Sequence, residues 1–200
     1  MIRKAAGVER ILVAVRHGET DWNAQHRFQG QLDIPLNVTG CSQAEALRFR
    51  LSAISFDTAY SSPLRRAFET ARVITRDLPI LADARLSEIH HGCWQGKTKS
   101  EIEAQWPDEW DRWCRGLWRF APPGGESSIA VRARVEDFMR TLRGTNVLCV
   151  SHGVVIQILL SILIGGSRLG QDGYAPTNGS IHTFRLRNGN LCEYRIEEIA

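Results

Sequence analysis

Two short runs of the chain end in the same way. Ile11-Leu12-Val13-Ala14-Val15 leads into Arg16-His17-Gly18, and Val147-Leu148-Cys149-Val150 leads into Ser151-His152-Gly153. An imidazole is a nucleophile or a proton carrier when neutral, and a guanidinium holds oxyanions through several donors at once. Arg66 and Glu88 add a second cation and a carboxyl group. Together, Arg16, His17, Arg66, Glu88 and His152 could perform phosphoryl transfer. That reaction needs an in-line nucleophile, charge stabilisation on the equatorial oxygens and a proton for the leaving oxygen. His17 would attack as the neutral base, a form that nearby guanidinium charges favour. At ~4 Å and an effective dielectric of ~20, one charge pair is worth about 4 kcal/mol, enough for two arginines to hold a phosphate without a metal. Glu88 would protonate the leaving alkoxide if its surroundings raise its pKa.

Other phosphate chemistries fit less well. Gly96-Lys97-Thr98 looks like the end of a P-loop, but the earlier glycine is missing, Gly92 being one residue too close. None of the five cysteines has an arginine six positions later, so no Cys-based phosphatase loop is present. No HExxH or Cys-x-x-Cys spacing calls for zinc, while a dinuclear site from His17, His152 and scattered carboxylates stays open. Several residues have a structural reading as the better one. His90 and His91 read as structural or rim groups, and Arg65 as a solvated helix residue. Trp106, Trp110 and Trp113, spaced i, i+4, i+7, read as core or as a lid packing over the site. Arg112, Arg115 and Arg119 read as a solvated face, with a second anion contact as the sharper alternative.

The elements that position these residues follow from the pattern. Both His-Gly runs are short, continuous and β-branched, the mark of fully buried strands. Ligands bind at the carboxyl ends of strands in open α/β sheets, so both imidazoles can reach one pocket. Thr39, as N-cap, opens a helix carrying Ala44, Leu47, Leu51 and Ile54. Thr58 to Ser61 is a short strand, and Pro63 stands at the first position of a helix whose face holds Leu64, Ala67, Phe68, Ala71 and Ile74. Residues 79 to 98 are irregular. Residues 99 to 119 are one or two helices broken at Pro107. Another helix runs from about Glu126 to Leu142, and Val154 to Ile164 is a buried helix. Residues 165 to 179 form a Gly-rich loop, and Asn188-Gly189 marks a hairpin turn between Ile181–Arg187 and Leu191–Ile196. Strands alternating with helices predict an α/β fold, a three-layer sandwich with a mostly parallel central sheet flanked by helices. The 200 residues suit one domain, 1–200, with 92–126 as a helical lid.

Composition excludes little but helps. A net charge of +3 and no basic run with interleaved aromatics argue against a nucleic-acid partner. No stretch approaches the ~20 apolar residues of a membrane span, so no membrane partner is expected. The scattered cysteines read as reduced thiols packed as small hydrophobes, in keeping with a cytoplasmic protein. Oligomeric state is not written in the sequence.

The motifs, taken in order, resemble the histidine phosphatase superfamily in its phosphoglycerate mutase-like branch. Arg16-His17-Gly18-Glu19-Thr20 with Trp22-Asn23 matches the signature. Arg27-Phe28, Gly30, Pro35-Leu36 and Thr39-Gly40 continue it. Ser61-Ser62-Pro63-Leu64-Arg65-Arg66-Ala67 with Thr70-Ala71 is the second block, and Leu86-Ser87-Glu88 with Gly92 and Gln95-Gly96 carries the acid. Gly124-Gly125-Glu126-Ser127 and Ser151-His152-Gly153 complete the series. The resemblance implies that His17 is phosphorylated, that Arg16, Asn23, Arg66 and His152 cradle the phosphoryl group, and that Glu88 is proton donor and then base for water. It implies substrate contacts from Thr20, Asn23, Gln29, Gly30 and Gly153, and neither metal nor cofactor. The expected substrate is a small phosphorylated metabolite. Mutases of the family carry a longer segment between the acid and the Glu-Ser motif, so the short Trp-rich segment here favours phosphomonoester hydrolysis. A cofactor-dependent phosphoglycerate mutase, a pathway-specific enzyme such as an α-ribazole phosphate phosphatase, and a non-catalytic phosphate-binding module are the alternatives.

Overall fold

The computed structural model describes residues 9–115, 120–165 and 174–199. They form a six-stranded sheet flanked by helices, an α/β fold as expected. The strands are β1 (Glu9–Arg16), β2 (Thr58–Ser61), β3 (Ile80–Ala82), β4 (Asn146–Ser151), β5 (Ile181–Arg187) and β6 (Asn190–Glu197), and the order across the sheet is β3-β2-β4-β1-β5-β6. The first four run parallel, β5 is antiparallel to β1, and β6 returns antiparallel to β5. The turn between β5 and β6 has Asn188 and Gly189 at φ 52° and 79°, the left-handed pair that an Asn-Gly hairpin turn requires.

β1 and β4 are apolar on both faces because both faces are covered. Leu12, Ala14, Val147 and Cys149 pack against α6 (Ser128–Thr141) and α7 (Gly153–Ile164), where Val131, Val135, Phe138, Ile156 and Leu159 are buried. Val13, Val15, Leu148 and Val150 pack on the other side against Leu47 of α2 (Val38–Arg50) and Ala67, Ala71 and Ile74 of α3 (Arg65–Thr75). A short helix α1 (Asp21–Ala24) follows β1, and the described part of the 92–126 region contains a 3-10 turn (Gly92–Trp94), α4 (Lys99–Gln105) and α5 (Pro107–Cys114).

Several boundaries differ from the sequence reading. Asn37, not Thr39, caps α2: its side chain accepts the Gly40 N–H at 2.8 Å, and Thr39 lies inside the first turn. The helix stops at Arg50, so Ile54 lies beyond it. Pro63 is outside α3, which starts at Arg65; Asp33 Oδ1 accepts the Arg65 N–H at 2.7 Å and does the capping from another part of the chain. The helix expected from Glu126 begins at Ser128, capped by Ser127. Residues 80–82 form the edge strand β3, too short and too exposed to show a pattern. Of the cysteines only Cys149 is buried, and Cys41, Cys93, Cys114 and Cys192 are exposed rather than packed. Arg119 and much of the 165–179 loop lie outside the described residues.

Candidate active site

The register of β1 and β4 brings the two histidines together. Arg16 pairs with Ser151, so His17 and His152 leave the sheet side by side, and the His17 N–H donates to the Ser151 carbonyl at 3.0 Å. Their rings meet edge to face with centroids 5.1 Å apart. On the far side of β4, β2 places Ser61 beside Val150 and delivers Ser62 and then α3, whose first turn carries Arg66.

His17 is buried and its tautomer is set from both ends. Nδ1 lies 2.7 Å from the Gly18 carbonyl, which can only accept, so Nδ1 carries the proton. Nε2 receives the Arg66 Nε–H at 3.3 Å, so Nε2 is bare. Burial, Arg66 and Arg16 hold the ring well below the ordinary histidine range, and it is neutral at physiological pH. Arg66 is itself fixed by donating to the Leu32 carbonyl at 2.8 Å and the Gly30 carbonyl at 2.7 Å. Burial lowers it to about 10, which leaves it cationic at neutral pH. Gly30 sits at φ 56°, and a Cβ there would stand 2.2 Å from Gln95 Oε1, so the carbonyl that holds Arg66 depends on glycine.

Arg16 donates to the Pro176 carbonyl, while its buried Nε has no partner among the described residues. Glu88 comes from the irregular segment after β3. A Cβ at Gly153 would lie 3.9 Å from both the Arg16 guanidinium and Glu88 Oε2, so these groups meet at the N-terminus of α7. Burial raises the Glu88 carboxyl; the Ile89 N–H at 3.0 Å, Arg66, Arg16 and the Val154 N–H oppose that rise without cancelling it. His152 is buried and held well below the ordinary range, chiefly by burial and by Arg66. Two guanidiniums, two imidazoles held neutral and a carboxyl whose pKa burial raises thus converge on one space.

The other expected contacts divide. Thr20 is buried and caps α1, and Asn23 Oδ1 accepts from the Thr20 N–H at 3.1 Å. Gly153 is at the meeting point just described. Gln29 is buried, and its Oε1 has no partner among the described residues. His91 is buried between Phe28 and Trp113, as a structural group, and Arg65 pairs with Glu69 on the surface. Trp110 and Trp113 pack on the buried Trp94, centroids 5.8 and 5.6 Å away, while Trp106 lies under Lys97. Arg112 and Arg115 are exposed, the latter paired with Asp111.

Some contacts of the site carry no readable signal in the sequence, although Ser62 and Thr70 fall in its motifs. Asn178 Nδ2 donates to the His17 carbonyl at 3.0 Å and reaches Asn23 Oδ1 at 3.2 Å, tying the loop after β1 to the segment before β5. Thr70 Oγ1 accepts the Gly18 N–H at 3.1 Å. Ser62 Oγ touches His152 Nε2 at 2.8 Å. Among the described residues no three His, Cys, Asp or Glu side chains gather as a metal cluster, and no helix is long and apolar enough to cross a membrane.

The family model described as histidine phosphatase superfamily, branch 1, matches residues 12–196. The chain belongs to this superfamily. Relatives carry both phosphatase and mutase names. A phosphoserine phosphatase 1 from Hydrogenobacter thermophilus is 36% identical over 77% of this chain and 76% of its own length. A 2,3-bisphosphoglycerate-dependent phosphoglycerate mutase from a Methylobacterium species is 36% identical over 93% of this chain and 96% of its own length. The crystal structure of the α-ribazole phosphatase from Shigella flexneri superposes with a TM-score of 0.83 at 29% identity, covering 90% of this chain and 93% of that one. The Methylobacterium relative bears the mutase name and matches nearly end to end, so membership of the superfamily does not by itself choose between hydrolysis and mutase activity.

Proposed function

We propose that the protein is a metal-independent phosphomonoester hydrolase that works through a phosphohistidine on His17. The observation that carries the reading is the pairing of a bare, neutral His17 Nε2 with the Arg66 guanidinium at 3.3 Å. That geometry presents a nucleophile beside the charge needed to hold the group it attacks. His17 Nε2 attacks phosphorus as the ester P–O bond breaks, and the Glu88 carboxyl gives its proton to the leaving alkoxide. A water then attacks the phosphohistidine, the P–N bond breaks with the electron pair returning to Nε2, and the Glu88 carboxylate takes the water's proton. Arg16, Arg66, Asn23 and His152 hold the phosphoryl oxygens, and Thr20, Gln29, Gly30 and Gly153 shape the surrounding wall. The substrate is a small phosphorylated metabolite.

Hydrolysis is favoured over mutase activity by the character of the 92–126 segment, which acts as the lid. A mutase must hold a second anionic group and keep water from the phosphohistidine. The described part of this lid packs Trp94 and Trp110 against Phe28 and Trp113 against Trp94, and its described arginines face solvent.

The test is phosphate release from p-nitrophenyl phosphate and 3-phosphoglycerate in excess chelator, with His17→Ala as control. Turnover by the wild type and none by the variant is the expected result. Turnover that appears only on adding metal would overturn the metal-independent mechanism. Isomerisation of 3-phosphoglycerate that depends on 2,3-bisphosphoglycerate, with little phosphate released, would establish the mutase instead.

A further inference from the structure

We propose that Ser62 is a positioning residue that fixes the tautomer of His152, making Nε2 the acceptor of the Ser62 hydroxyl and Nδ1–H the donor offered to the phosphoryl group. This rests on the phosphohistidine reading and names how one wall of that site is set.

The hydrogen-bond inventory leads there. Ser62 is fully buried, and its Oγ accepts the Leu64 N–H at 3.3 Å. A backbone N–H can only donate, so one Ser62 lone pair is engaged and the hydroxyl proton still needs an acceptor. Among the described residues the contact left to that proton is His152 Nε2 at 2.8 Å. If Nε2 carried hydrogen, the Ser62 proton would be buried with no acceptor, at a cost of about 1–3 kcal/mol. The lower-energy arrangement leaves Nε2 bare and places the ring proton on Nδ1, since the ring is neutral.

A second observation points to a ligand. His152 Nδ1 is buried and has no partner among the described residues. The ring lies against His17, the proposed phosphoryl acceptor. Under this assignment the orphan is a donor, the form needed by a phosphoryl oxygen; the other tautomer would set a lone pair against a developing anion. Ser62, just after β2, is itself held against β4, its N–H donating to the Val150 carbonyl at 3.0 Å. The serine preceding Pro63 thereby has a role in the site, although it touches no substrate.

The experiment is NMR of the ring nitrogens in protein labelled at histidine, with His152 assigned by difference, together with steady-state kinetics of Ser62→Ala. The wild type is expected to show a bare Nε2 and a protonated Nδ1, with the Nδ1 signal moving on addition of vanadate. Ser62→Ala is expected to lose that tautomer preference and to lose roughly 10- to 100-fold in kcat/KM, with its thermal unfolding still cooperative. A protonated Nε2 in the wild type overturns the proposal. So does a variant that keeps wild-type kcat/KM, or one that loses activity while its ring signals stay unchanged. Rapid-quench labelling of His17 by substrate reports on the phosphohistidine reading separately: its absence would sink that mechanism while the wild-type ring signals still decide the tautomer.

Discussion

Arg66 Nε stands 3.3 Å from His17 Nε2 and donates to the lone pair that is to attack phosphorus. The same guanidinium is pinned through its other nitrogens by the carbonyls of Gly30 and Leu32. Arg66→Lys keeps the charge but loses the planar fork, so it cannot make these bonds together. A loss of roughly 100- to 1000-fold in kcat/KM is expected. Arg66→Gln also removes a charge that depresses His17, so the His17 pKa should rise toward the ordinary histidine range in an NMR titration. A Lys variant near wild-type activity would show that Arg66 supplies charge alone.

Glu88 and His17 make opposite demands on pH. Glu88 must be protonated to serve the leaving group, and burial raises its pKa. His17 must be neutral, and it stays so well below the ordinary histidine range. After correction for ionisation of the substrate, kcat/KM for an alkyl phosphate should therefore fall on the alkaline side and stay level on the mildly acidic side. Glu88→Gln should remove the alkaline limb and most of the rate. An acidic limb near pH ~6.5, the unperturbed histidine value, would mean that His17 is not depressed.

What the sequence disclosed follows the range over which each interaction acts. The apolar runs before Arg16 and Ser151 are local signals of buried strands, so the sequence alone places both histidines at strand ends. Their adjacency then needed only the strand order. Asn178 and Asp33 act on residues distant in sequence and fall in no motif, and the motif that contains Ser62 does not show its contact with His152. Thr39 looked like a cap because it is a good capping residue followed by a helix; Asn37 is as good and reaches the Gly40 N–H.

Stability should fall steeply in acid. His17, His91, His152 and His182 are all buried with lowered pKa values, His91 to about 3 and His182 to about 4. Each is neutral when folded, but the unfolded chain protonates it below pH ~6.5. The unfolded state therefore binds more protons, and the stability present above that pH is lost as pH falls toward the folded values. Each group adds up to about 1.4 kcal/mol per pH unit in this window. Glu88, raised in the folded state, acts in the opposite sense: it stabilises in acid and loses this as pH rises through its folded value. Four histidines outweigh one carboxyl. Denaturant unfolding between pH ~7 and ~5 should show the decline, and His182→Gln should make it shallower by about one group. A stability independent of pH there would contradict the burial of these rings as neutral species.

Arg134 holds the strand of backbone that presents Glu88. Its Nη1 donates to the Arg85 carbonyl at 2.6 Å, and its Nη2 to the Glu88 carbonyl at 3.2 Å. Glu126 pairs with it at 3.2 Å and accepts the His90 N–H at 2.9 Å. Two charged side chains thus clamp the backbone on both sides of the acid, which gives the Gly124-Gly125-Glu126-Ser127 motif a physical task. Arg134→Leu leaves two carbonyls and the Glu126 carboxylate without this partner, and a loss of about 1–3 kcal/mol in stability is expected. The kinetic signature separates positioning from general damage. A displaced acid harms alkyl phosphates, whose leaving groups need a proton, far more than p-nitrophenyl phosphate, whose leaving group departs as a stable anion. The ratio of kcat/KM for the two substrates should therefore fall in Arg134→Leu and recover in part in Arg134→Lys. Equal losses on both substrates would show that the clamp supports the fold and not the acid.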